Sequence, residues 1–164
     1  MTIVAMVLSI TLGTGSLAYG YSQGGLTDPA RWFVWLGTLW LLAHWRKYYW
    51  FSSVALFLAL FAAAYGVWNG FTTIWMLLGA LGGMLGWDLS DFARRIGYAA
   101  PTDDVQGIER RHLERVGIVA VLGFGLAILS LYIRINRLAF EVAVGLVLLA
   151  ALGLTRLVMR LRRY

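Results

Sequence analysis

The chain has 164 residues, a formal net charge of +6 and no cysteine. Hydrophobic residues make up 60% and charged residues only 13%, about half the charged share of an ordinary soluble domain. Too few charges remain to cover a water-facing surface, and without cysteine there are no disulfides, thiolate metal sites or cysteine nucleophiles.

Charge placement points to lipid as the solvent. No charged side chain occurs from Met1 to Leu26, from Tyr48 to Trp87 or from Val116 to Ile133. A spanning helix needs about 20 mostly apolar residues to cross a hydrocarbon core of roughly 30 Å. The reading is an all-α, polytopic integral membrane protein of six transmembrane helices, forming a single membrane domain over residues 1–164.

The first span runs from about Thr2 to Tyr21. Ser16-Leu17-Ala18 has the small residues of a cleavage site, but no basic residue precedes the apolar run, so a retained span is expected rather than a signal peptide. The polar loop SQGGLTDPAR follows. Asp28-Pro29 reads as a helix cap and first turn, opening a second span over 30–45. Arg46-Lys47 makes a tight basic connection. The third span covers 50–68, and Asn69-Gly70 is a turn signal.

The fourth span covers 71–87. Gly79, Gly82, Gly83 and Gly86 place small residues three and four apart, which lets another helix backbone approach closely. The stretch LGALGGMLGW at 78–87 also echoes LGTGSLAYGY at 12–21, a pattern that an inverted three-plus-three repeat would produce. A polar cytoplasmic segment, 88–115, comes next. Leu89, Phe92, Ala93 and Ile96 form one apolar stripe there, with Asp88, Asp91 and Arg95 opposite. The helix either continues into the cytoplasm or lies along the interface until Gly97 and Pro101 end it. Asp103 with Gln106 has the spacing of a capping box for a new helix. The fifth and sixth spans are 116–133 and 138–155. Glu141 lies one turn inside the sixth, four residues after Arg137, and the two are expected to pair. A basic tail closes the chain.

Eleven of the fourteen Lys and Arg residues fall on the side holding both termini. The positive-inside rule makes that side cytoplasmic, in a bacterial or archaeal plasma membrane. Trp45, Trp50, Trp68 and Trp87 lie at span ends and read as an aromatic belt. The partners implied are the bilayer itself, anionic headgroups, and a second copy or another membrane protein. Nucleic acid is not expected, because the arginines sit at the ends of apolar segments.

Chemistry is less legible. Asp88-x-x-Asp91 followed by Ala93-Arg94 resembles, over fewer than ten residues, the signature of the CDP-alcohol phosphotransferases, in which paired aspartates hold divalent metal against a diphosphate. Phe92 stands where that family has glycine, the Ala-Arg pair comes two residues early, and the later aspartate pair is missing. That activity is therefore not carried over. Asp88, Asp91, Arg94, Arg95, Arg111 and Arg115 are instead the candidate headgroup site. His44 and His112 read as interfacial side chains, and no cofactor or metal is expected. No acid or base lies near the centre of any span, unlike proton-coupled pumps.

Three functional readings fit this pattern. The first is a structural or interaction component packing through its glycine faces, without an enzyme signature. The second is a small carrier or channel for a neutral or weakly polar solute. The third is a headgroup enzyme at the cytoplasmic interface.

Overall fold

The computed structural model describes residues 1–97 and 104–132, and of 129–132 the backbone alone. Every regular element among them is an α-helix: α1 (Thr2–Gln23), α2 (Thr27–Trp45), α3 (Trp50–Trp68), α4 (Thr73–Ile96) and α5 (Val105–Tyr132). Two of these, α1 and α3, are long and apolar enough to cross a membrane. Contacts divide the chain after Ile128, and the helical body is the first of the two units, Met1–Ile128. The expected sixth span, the Arg137–Glu141 pair and the basic tail lie outside the described residues.

The first three helices end alike. Gly25, Lys47 and Gly70 adopt positive φ of 83°, 63° and 76°. Each is followed by an amide that reaches back five residues: Leu26 N to the Tyr21 carbonyl (3.0 Å), Tyr48 N to Ala43 (2.8 Å) and Phe71 N to Gly66 (3.0 Å). These are Schellman caps, which give the last carbonyls of each helix a donor. They turn the chain back on itself, so α1 to α4 run alternately up and down. The α2 start differs from the sequence reading. The helix begins at Thr27, with Asp28 and Pro29 already inside its first turn. Asp28 makes no cap bond and faces Arg31 at 3.6 Å.

Glycine determines which helices touch. Gly79, Gly82, Gly83 and Gly86 are all buried. A Cβ on Gly79 would meet Leu17 at 2.5 Å, one on Gly86 would meet Ile10 at 2.7 Å, and one on Gly83 would meet Ala59 at 3.1 Å. The glycine face of α4 is thus occupied within the chain, by α1 and α3. The two similar stretches at 12–21 and 78–87 are the two sides of one seam, with Gly13 against Gly82. On the far side of α1, Thr14 packs against Gly37 of α2.

The interior holds two apolar clusters. One gathers Leu17, Tyr21, Ala59, Ala63 and Met76, and the other Met6, Ile10, Trp40, Ala55 and Leu89. Several interior polar groups are satisfied, while His44 Nδ1 is buried with no hydrogen-bond partner among the described residues. The fully buried Trp40 donates its indole N–H to Ser52 Oγ at 3.2 Å. Tyr21 donates its hydroxyl to the Ala62 carbonyl at 2.8 Å. Thr14 and Ser90 donate to carbonyls one turn back, at 2.8 and 2.6 Å. Large apolar side chains such as Trp32, Trp35, Phe57, Phe61 and Trp68 are exposed.

Candidate functional site

One end of the helical body collects the polar residues. The α1 start, the α2–α3 connection, the end of α4 and the beginning of α5 all meet there. Thr2 Oγ1 donates to Glu109 Oε1 at 2.9 Å, and the Met1 ammonium lies 3.5 Å from Glu109 Oε2. The Arg94 guanidinium sits 5.9 Å from the centre of the Tyr49 ring. The opposite end is aromatic, with Tyr21 against Phe33 and Phe71 and with Tyr19 edge-on to Trp75.

The end of α4 passes without a break from its apolar half into its charged half. Asp91 holds two arginines, Arg94 one turn on and Arg95, whose Nε lies 2.8 Å away. Both pairs follow from helical spacing, at i,i+3 and i,i+4. Around them lies a polar pocket of about 390 Å³, lined among others by Tyr49, Trp50, Ser53, Ser90, Asp91 and Arg94. Trp87 frames it by donating its indole N–H to Ser53 Oγ at 3.2 Å. Asp91 is shared between two cations, so the pocket wall carries net positive charge.

Asp88 faces another way. Its carboxylate meets His112 Nε2 of α5 at 2.9 Å. The His112 ring stacks on Phe92, with centroids 3.7 Å apart and planes 14° from parallel. Leu113 adds an apolar contact to the second core cluster. These contacts, with Glu109, fasten the first turns of α5 to the rest. Asp104 starts α5 by accepting the Gly107 amide at 3.0 Å. The capping residue is therefore Asp104, while Asp103 lies outside the described residues. Further along α5, Arg110 pairs with Glu114 at 2.9 Å.

The six candidate headgroup residues consequently fall into groups. Asp91, Arg94 and Arg95 share the polar pocket. Asp88 and Arg115, with His112, line the end of a larger apolar groove between α3, α4 and α5. Arg111 is exposed on α5. The two aspartates of the phosphotransferase-like motif take different partners, and no cluster of three metal-ligating side chains occurs among the described residues. The sequence reading missed the pairing of His112 with Asp88. Its signal was the helix break at Gly97–Pro101. Asp88 lies eight residues before the end of α4 and His112 seven after the start of α5, and the two meet across those helices.

No family model, curated protein or solved structure matches the chain.

Proposed function

We propose that the chain is a multi-pass membrane protein, with six spans and both termini cytoplasmic in a bacterial or archaeal plasma membrane. It acts as a non-enzymatic component that engages anionic lipid headgroups at its charged end. The observation that carries this reading is the apolar exterior of the helical body. Trp32, Trp35, Phe57 and Phe61 lie outside although the interior is apolar as well, with Ile10, Leu17, Trp40 and Met76 fully buried. Water penalises that arrangement and hydrocarbon does not. Among the described charged side chains, all but Asp28 and Arg31 belong to the end that holds Met1. An arginine near a negative membrane surface contributes about 1 kcal/mol.

The partner-packing and carrier readings draw less support. The α4 glycines, which suggested packing on a partner, already contact α1 and α3. A solute path along the α1–α4 seam has no room, since Gly13 and Gly82 meet backbone to backbone.

Two measurements test the proposal. Alkaline extraction of native membranes should leave the full chain in the pellet, and release into the supernatant rejects the membrane assignment. Native mass spectrometry from nanodiscs of equal phosphatidylglycerol and phosphatidylcholine should show phosphatidylglycerol retained in excess. The double substitution Arg94→Gln, Arg95→Gln should lower that excess by roughly thirtyfold, from about 1 kcal/mol per arginine. Equal retention of the two lipids by the unaltered chain rejects the headgroup reading.

A further inference from the structure

The glycines of α5 behave unlike those of α4. A Cβ on Gly117, Gly123 or Gly125 would meet nothing within 4 Å. Past its first turns α5 stands off from α3 and α4, and a groove of about 650 Å³ separates them. Leu60, Leu81, Met84, Val119 and Phe124 are among its walls. Small-molecule sites occupy roughly 300–1,000 Å³, so the space is large enough to hold a ligand.

Its shape and charge narrow the choice of occupant. From His112 to Ala127 the groove follows α5 for about 22 Å at 1.5 Å per residue. One leaflet of hydrocarbon is about 15 Å deep, half of a core of roughly 30 Å. A single hydrocarbon chain is long and thin enough to lie along an apolar groove of this length.

Polar groups line one end only, where Asp88, His112 and Arg115 sit. Asp88 is engaged by His112. Arg115 has no ion pair among the described residues. An apolar slot that ends in an unpaired guanidinium complements an amphiphile with an anionic head. Guanidinium binds phosphate oxygens in a two-pronged geometry.

We propose that this groove holds one acyl chain of an anionic glycerophospholipid, with its phosphate against Arg115. The site rests on the membrane reading above and is separate from the Asp91–Arg94–Arg95 pocket.

The test uses the full chain in nanodiscs of equal phosphatidylglycerol and phosphatidylcholine, released for native mass spectrometry. The expected result is one tightly retained phosphatidylglycerol per chain that survives Arg94→Gln, Arg95→Gln. Gly123→Phe puts a side chain into the groove from a position with free space. It should lower that occupancy about tenfold while helix content by circular dichroism stays constant. If Gly123→Phe loses helix content, Ala120→Phe obstructs the same groove and carries the same expectation. Arg115→Gln should keep a bound lipid but lower the preference for the anionic one roughly fivefold.

Unchanged phosphatidylglycerol occupancy in the folded Gly123→Phe or Ala120→Phe chain overturns the proposal. So does conversion of a dimer to a monomer with lipid occupancy unchanged, which would assign the groove to a second copy. Loss of all retained lipid in Arg94→Gln, Arg95→Gln alone overturns the groove site and leaves the headgroup reading standing. Release of the chain on alkaline extraction overturns both.

Discussion

Gly13 of α1 and Gly82 of α4 meet backbone to backbone: a Cβ on Gly13 would lie 2.8 Å from the Gly82 carbonyl carbon. Nothing flexible stands between them, so a larger residue on either side must push the helices apart.

Gly82→Ala should therefore destabilise the protein by about 1–3 kcal/mol, the range for overpacking a close-packed interior. Gly117→Ala is the matched control, because its Cβ would meet nothing within 4 Å. There the gain in helix propensity, up to about 1 kcal/mol, should stand alone. Thermal melting of both variants in one detergent checks the pair. Equal melting temperatures would falsify the seam.

Ser52 and Ser53 are neighbours with different duties. Ser52 accepts the indole N–H of fully buried Trp40, and Ser53 accepts that of Trp87 at the surface. Ser52→Ala leaves a buried donor without an acceptor and should cost about 1–3 kcal/mol. Ser53→Ala should change stability by less than about 0.5 kcal/mol, as surface substitutions usually do. Comparable losses in denaturant titrations would contradict this division.

Removing the His112 ring should loosen α5 selectively. His112→Ala deletes both the contact with Asp88 and the stack on Phe92. Amide exchange across 105–115 should accelerate at least severalfold, while exchange in α1 to α3 stays unchanged. Asp88→Asn keeps an acceptor for the imidazole and should give a smaller effect. Uniform acceleration across all five helices would show that His112 is not a local fastening.

Lys47 occupies the left-handed conformation that glycine takes in the two sister turns. A side chain there costs roughly 1–2 kcal/mol. Lys47→Gly should stabilise the α2–α3 turn by about 1 kcal/mol, read as a higher melting temperature. A lower one would mean that the lysine side chain itself supports the turn.

How much of the fold and the site is legible in the sequence depends on the range of the interaction. The α3 limits, the Asp91–Arg95 and Arg110–Glu114 pairs and the α4 glycine periodicity all follow from helical spacing, and the structure contains each of them. What the glycines pack against was not legible. Gly13 and Gly37 lack the repeated spacing that marks α4, although each lies in a close contact. The likeness between 12–21 and 78–87 was visible, and a repeat is one source of such likeness. Here the two stretches also contact each other, and each side of a tight seam needs small residues. The Asp88–His112 contact needed the path of the chain between two helices. Nothing local to Ser52 and Ser53 shows that an indole N–H arrives at each of them from another helix.

The α1–α4 seam also bears on the order of assembly. The backbone-to-backbone glycine contact joins the first helix to the fourth, so neighbouring helices can pair while Gly13 still waits for its partner. Arrival of α4 closes the α2–α1–α4–α3 ring, and loop closure makes such distant contacts late. A chain stopped after α3 should keep its helices yet leave Gly13 open to labelling at a cysteine placed beside it. Extending the chain through Ile96 should then protect that cysteine in a single step.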